Sequence, residues 1–180
     1  MEDLEKLYKE YNNCKACVLC ETRNNIVFGD GDTKSKVIFI GEAPGKTEDL
    51  KGKPFIGLAG NLLSNYFVFS EMNREDYYIT NIVKCRPPQN RNPRAEEIKN
   101  CKKILDAQLD IMQPKIIVPL GLFATKFFLK QNKNMGDLRG TLFEKEGILI
   151  LPMYHPAALL RNPDMKPCMA QDFKLLKKLL

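Results

Sequence analysis

The sequence lacks any apolar run long enough to cross a bilayer: the longest, Ile116 to Thr125, is about half of what a spanning helix needs. The opening residues, MEDLEK, are acidic and carry no apolar h-region, so neither a secreted nor a membrane protein is expected, and the expected compartment is the cytoplasm. A block of one charge sign is also missing. The 28 Lys and Arg and the 22 Asp and Glu are intermixed, leave a net charge of +6, and with 44% hydrophobic residues exclude a disordered chain. Histidine is nearly absent, at one in 180 residues. What is present is one domain's worth of chain, residues 1–180, with enough apolar mass to build a core without disulfide staples. In a reducing compartment, six irregularly spaced cysteines are more often metal or cluster ligands than disulfides.

Hydrophobic spacing gives the order of elements. Leu4, Leu7, Tyr8 and Tyr11 fall at i, i+3, i+4 and i+7, which predicts a short amphipathic helix leading into Cys14. VIFI at 37–40, YYITNIV at 77–83, KIIVPL at 115–120 and GILILP at 147–152 are short apolar or β-branched runs bounded by turn residues, as buried strands are. Helical spacing lies between them in AGNLLSNYFVF and LFATKFFL, and after them in MAQDFKLLKKLL. Asn92, Pro93, Glu96 and Glu97 supply an N-cap, a first-turn proline and first-turn acids, predicting a helix over about 93–111 that ends before Pro114. A helix followed by strand and helix repeated about four times predicts an α/β fold with a mostly parallel sheet.

In such a sheet the ligand crevice lies beyond the carboxyl ends of the strands. Those positions here hold Gly41-Glu42-Ala43-Pro44-Gly45, Thr80-Asn81 and Tyr154-His155-Pro156. A Glu, an Asn and the lone His are therefore expected on one edge. Cys14, Cys17 and Cys20 form CxxCxxC, with Cys85, Cys101 and Cys168 far downstream. A CxxC pair and two distant thiolates suffice for an iron–sulfur cubane or a Zn(Cys)4 site, and spacing does not choose between them. The polar setting NNCKACVLCETR argues against the N-terminal triplet being core, whereas Cys168, after Lys166-Pro167, reads as a small buried hydrophobe.

Three long motifs, GEAPGKTEDLKGKPFIGLAG (41–60), TNIVKCRPPQNRNP (80–93) and YHPAALLRNP (154–163), together with the CxxC opening and LRG at 138–140, resemble the family 4 uracil-DNA glycosylases, the iron–sulfur class of thermophilic bacteria and archaea. The resemblance implies a three-layer α/β/α domain around a central, four-stranded, mostly parallel sheet, and excision of uracil from single- or double-stranded DNA, leaving an abasic site. It also implies a 4Fe-4S cluster held by Cys14, Cys17, Cys85 and Cys101; Cys20 and Cys168 match no family ligand. With no apolar seam that demands a dimer, a monomer is expected.

The chemistry assigns roles within that frame. Breaking the bond from C1′ to N1 of uracil leaves an oxocarbenium-like sugar and a uracil anion, and the nucleotide must first be flipped out of the stack. His155 is placed to donate a hydrogen bond to uracil O2 as charge gathers there. Asn81 offers an acceptor for N3–H and a donor for O4 side by side, a pattern that cytosine reverses. Phe55, within Lys53-Pro54-Phe55, is read as the stacking platform, with a plain core Phe as its competitor. Glu42 can position water and oppose the sugar cation, and Gly41, Glu42 and Ala43 are read as contacts to the base in a turn where Gly41 and Gly45 let the chain approach closely. Glu48 matches a family position that crowds C5 against a thymine methyl; an acid at a helix N-terminus is the alternative. Leu159 and Leu160 are read as a wedge, Arg161 as a phosphate contact, and Lys84, Arg86, Arg91 and Arg94 as a basic footprint for DNA. Other readings of the same residues are a glycosylase for another deaminated base, such as hypoxanthine, an iron–sulfur DNA-binding module without catalysis, and an electron-transfer protein.

Overall fold

The run VIFI has no polar face, and the computed structural model, which describes residues 2–180, places it in the middle of a sheet. Six strands, β1 (Asp30–Gly31), β2 (Val37–Gly41), β3 (Tyr78–Asn81), β4 (Ile116–Pro119), β5 (Phe143–Lys145) and β6 (Ile148–Ile150), lie in the order β1-β3-β2-β4-β6-β5. The four expected strands, β3, β2, β4 and β6, are parallel to one another. The sheet is nevertheless larger than expected, because an antiparallel strand is added at each edge. β1 is only two residues long, too short to leave a periodic signal. β5 joins β6 through Glu146 and Gly147, both at positive φ (55° and 77°), the backbone of a two-residue hairpin whose twist matches the strands.

Eight helices accompany the strands among the described residues: α1 (Glu2–Tyr11), α2 (Lys46–Lys51), α3 (Leu58–Phe69), α4 (Ala95–Met112), α5 (Gly121–Leu129), α6 (Met135–Leu138), α7 (Pro156–Arg161) and α8 (Lys166–Leu179). None is long and apolar enough to cross a membrane. α2, α6 and α7, at four to six residues, are shorter than two turns and show no period to read. α4 starts two residues later than the Asn92-Pro93 signal predicts. Its cap is Arg94, whose backbone N–H donates to the Glu97 carboxylate at 2.7 Å while Arg91 pairs with the same carboxylate.

Strand periodicity sorts the core into two layers. Ile38 and Ile40 of β2 face Leu4 and Leu7 of α1, Ile104 and Leu105 of α4, and Ala124 and Phe128 of α5. Val37 and Phe39 point the other way, into Leu63 and Phe67 of α3, Leu159 of α7 and Phe173 of α8. Phe39 stacks on Phe173 at 6.0 Å and meets Phe67 edge-on at 5.0 Å. These two faces are the three-layer α/β/α arrangement.

One buried ion pair closes the second layer. Arg139, just past α6, donates to both carboxylate oxygens of Asp172 in α8 and, at 2.8 Å, to the Cys168 carbonyl; the Asp172 side chain is 1% exposed. Removing one member of such a pair strands the other charge out of water. Arg139→Ala is expected to lower stability by about 3–5 kcal/mol in urea unfolding, and Arg139→Met with Asp172→Leu to recover most of it. Equal losses in the single and double variants would show that packing, and not the stranded charge, sets the cost.

Candidate active site

The strand order reverses about β2, whose neighbours β3 and β4 lie on opposite sides, so the crevice opens at their carboxyl ends. Gly41 at the end of β2 is in register with Asn81 at the end of β3. β4 runs into Leu120, which bridges Met153, two residues before His155. Glu42, Ala43, Glu48, Phe55, Asn81 and His155 consequently line one cleft of about 1080 Å³, with Arg91, Leu160 and Arg161 also in its wall.

Contact at the floor of this cleft is close. The Phe55 and His155 rings lie 5.5 Å apart, centre to centre, at 35°. A Cβ on Gly41 would come within 2.4 Å of Asn81 Oδ1 and 2.6 Å of the Phe55 ring, so any side chain there would push the two apart. Asn81 is 1% exposed, and its Oδ1 is a buried acceptor with no hydrogen-bond partner among the described residues. Leaving such an atom unpaired costs about 1–3 kcal/mol, and it lies where the expected ligand would pair with it.

The lone imidazole has a defined tautomer. His155 caps α7, and its Nδ1 accepts the Ala157 N–H at 3.1 Å, so the proton of the neutral ring sits on Nε2. Although the residue still opens onto the cleft, burial, helped by the Arg161 cation, pushes the imidazole down to about 4. Burial raises Glu42 above the ordinary carboxylate range.

Phe55 adopts φ 51°, a left-handed conformation costing an L-residue roughly 1–2 kcal/mol, and tethers hold it there. The half-buried Arg74 donates to the Phe55 carbonyl at 2.8 Å and the Pro54 carbonyl at 2.9 Å. Glu48 Oε1 accepts from the N–H groups of Ile56 (3.1 Å) and Gly57 (2.7 Å). A Cβ on Gly60 would lie 1.9 Å from the Phe55 carbonyl. Sequence reading missed Arg74 because its partners are 10 to 20 residues away and no local pattern marks it.

Two expectations are corrected. Leu159 is fully buried in the second core layer, so it does not form part of a wedge; Leu160, at 48% exposure on the cleft rim, and the exposed Arg161 are the accessible pair. On a six-residue helix consecutive side chains point about 100° apart, so one leucine of the pair must turn inward. Lys84 is not part of a basic surface either. It is 1% exposed, and its amine donates to Thr80 Oγ1, the Asn81 carbonyl and Gln108 Oε1 at 2.5–2.7 Å. Of the remaining cations, Arg91 is paired with Glu97 in the cleft wall, Arg86 donates to Asn90 of that wall, and Arg94 is exposed.

Cys14, Cys17, Cys85 and Cys101 line a second, small pocket; Cys20 and Cys168 do not. Among the described residues no three His, Cys, Asp or Glu side chains converge on a single ion position. Cys85 Sγ faces Arg23 Nη1 at 3.4 Å and Cys101 Sγ faces the Lys84 N–H at 3.2 Å, donors that suit thiolate sulfurs. A four-thiol donor set with N–H groups directed at it fits an inorganic cluster.

The sequence model of the Uracil DNA glycosylase superfamily matches residues 28–177. A type-4 uracil-DNA glycosylase of Sulfurisphaera tokodaii is 44% identical, over 99% of this chain and 86% of that protein. Its counterparts in Saccharolobus solfataricus (41%, over 100% of this chain and 88% of that protein) and Archaeoglobus fulgidus (40%, over 99% and 94%) are similar to the same extent. The chain belongs to the type-4 uracil-DNA glycosylases.

Membership of the type-4 glycosylases gives the pH behaviour of the site a concrete test. With one histidine in the chain, nitrogen-edited spectra of the protein contain a single imidazole. It is expected to keep the Nε2–H tautomer at neutral pH and to gain its second proton only near about 4. Its folded value lies below the ordinary 6.5, so the stability tied to it is whole above 6.5 and is lost as pH falls toward about 4. An acid limb of the excision rate is expected from Glu42, whose carboxyl is pushed up by burial, and Glu42→Gln is expected to remove it. An imidazole titrating near 6.5, or an acid limb that persists in Glu42→Gln, would contradict these assignments.

Proposed function

We infer that this chain is a uracil-DNA glycosylase that flips uracil out of DNA and hydrolyses its N-glycosidic bond. The observation that carries the reading is the unpaired, buried Oδ1 of Asn81, set between the Phe55 ring and a residue without a side chain. Uracil N3–H fits that acceptor, the Asn81 amide faces O4, and the ring stacks on Phe55. The Nε2–H of His155 donates to O2 while the C1′–N1 bond breaks and its electron pair passes to N1. The Glu42 carboxylate opposes the positive sugar and holds the water whose oxygen adds to C1′, its proton passing to the carboxylate and from there to the uracil anion. Glu48 stands in the wall next to the platform, where a C5 methyl would meet it. Leu160 and Arg161 on the rim suit the vacated stack and a phosphate.

Cys14, Cys17, Cys85 and Cys101 would hold a 4Fe-4S cluster. When bound it supplies a cross-link between the N-terminal segment and the stretch from 85 to 101. DNA is the partner, single- or double-stranded, and the reading takes the protein as a monomer acting in the cytoplasm.

Incubation with a uracil-containing oligonucleotide followed by alkali should cut the strand at uracil; binding without cutting would favour a non-catalytic DNA-binding module. His155→Ala should slow single-turnover excision about 10²–10³-fold with DNA affinity retained. Asn81→Asp should reduce the preference for uracil over cytosine about ten- to a hundredfold, because an ionised carboxylate only accepts. Unchanged rates on both bases would remove Asn81 from recognition. Iron and acid-labile sulfide in equal amounts, with absorption near ~400 nm, are expected of the purified protein; zinc alone would replace the cluster by a Zn(Cys)4 site.

A further inference from the structure

One buried carboxylate has no part in the chemistry above. Asp49 of α2 is 1% exposed and has no ion-pair partner among the described residues. A charge taken out of water is tolerated only where hydrogen bonds replace hydration. Those bonds come from two consecutive residues far from it in sequence. The backbone N–H groups of Asn24 and Asn25 donate to Oδ1 at 2.9 and 3.3 Å, and Asn24 Nδ2 donates to Oδ2 at 2.5 Å. Asn25 Nδ2 also donates to the Asp49 and Leu50 carbonyls at 2.8 and 3.2 Å, in the last turn of α2.

This grip is the larger of the two sets of hydrogen bonds that tether α2. Six residues are too few for a helix to persist by itself, and Asp49 is its one buried side chain. Apolar packing therefore does not fix its position; five hydrogen bonds from Asn24 and Asn25 do. On the other flank the adjacent Glu48 accepts from Ile56 and Gly57, directly behind Phe55. Upstream, Arg23 faces Cys85 Sγ. Hydrogen bonds at Arg23, at Asn24 and Asn25, and at Glu48, joined by adjacent residues of the chain, thus lead from the thiol pocket to the loop that carries the Phe55 ring in left-handed backbone, which needs several constraints to stay there.

We propose that Asp49 is a positioning residue of the base pocket: held by Asn24 and Asn25, it sets the place of α2 and, through Glu48, of the Phe55 ring, and so couples the segment after the N-terminal cysteines to the stacking platform. The proposal rests on the uracil reading of the cleft and deepens it. A ring that has lost its support holds a free base poorly, while contacts to the DNA backbone are untouched.

The test uses the purified protein with its metal content intact. Asn24 and Asn25 are exposed, so Asn24→Ala with Asn25→Ala removes three of the bonds without opening the core. Affinity for free uracil, by calorimetry, should fall about tenfold, affinity for an oligonucleotide bearing an abasic site should stay within about twofold, and deuterium uptake should rise in 46–57 but not in β2 to β4. Asp49→Ala should do the same more strongly. Asp49→Asn, which keeps an acceptor for the two backbone N–H groups, should lie closest to the unaltered protein. If Asp49→Ala does not fold, the double asparagine variant decides. Unchanged uracil affinity and unchanged uptake in that variant would overturn the proposal. So would equal losses for uracil and abasic DNA with a lowered unfolding midpoint, which mark a purely structural role. Failure of the unaltered protein to bind uracil would instead count against the pocket reading, and the deuterium uptake would still test the grip on α2.

Discussion

Gly41 and Asn81 occupy the same register position on adjacent parallel strands, and the space left by the missing Gly41 side chain is filled by the Asn81 carboxamide and the Phe55 ring. Much of the cleft follows from that contact. The carboxamide is directed by the strand pairing, so its orientation has the rigidity of the sheet and not of a loop. The ring reaches the same spot from a loop, and so needs Arg74, Glu48 and the bare Cα of Gly60 to hold it in an unfavourable backbone conformation. One partner is placed by ladder hydrogen bonds and the other by side-chain tethers, and the proposed base recognition needs both at once.

Beneath the strand end, the interior is polar where a fold built only for stability would be apolar. The Lys84 amine is buried under Asn81, bonded to its carbonyl and to Thr80 and Gln108, and Gln108 in turn donates to the Phe28 carbonyl and Tyr78 hydroxyl. A network of this kind, with its donors and acceptors matched, fixes a single arrangement of the groups it joins. It also runs beside Cys101, which accepts the Lys84 N–H. The thiol pocket and the base pocket are therefore in contact with the same short stretch, residues 80–85, from its two ends. The charge of that stretch faces inward, while Arg91, paired with Glu97, and the exposed Arg161 lie in the cleft wall.

The sequence by itself determined a good deal. Short continuous apolar runs and period-3.6 spacing located four parallel strands and the longer helices, because buried strands and amphipathic helices must carry their burial in the order of residues. It also placed Glu42, Asn81 and His155 at strand ends, since the crevice of a parallel sheet is set by chain direction alone. Only the tertiary structure decided the rest. The two edge strands and the helices α2, α6 and α7 were too short for a period to show. Leu159 and Lys84 each had a neighbour of the same character, and only the packing revealed that Leu159 and Lys84 face inward while Leu160 and Arg86 do not. Arg74 and Asp49 act on partners 10 to 25 residues away, through bonds that exist only once the chain is folded. Local order fixes which residues belong to which element, but the direction a side chain takes and the distant group it meets are properties of the packed whole.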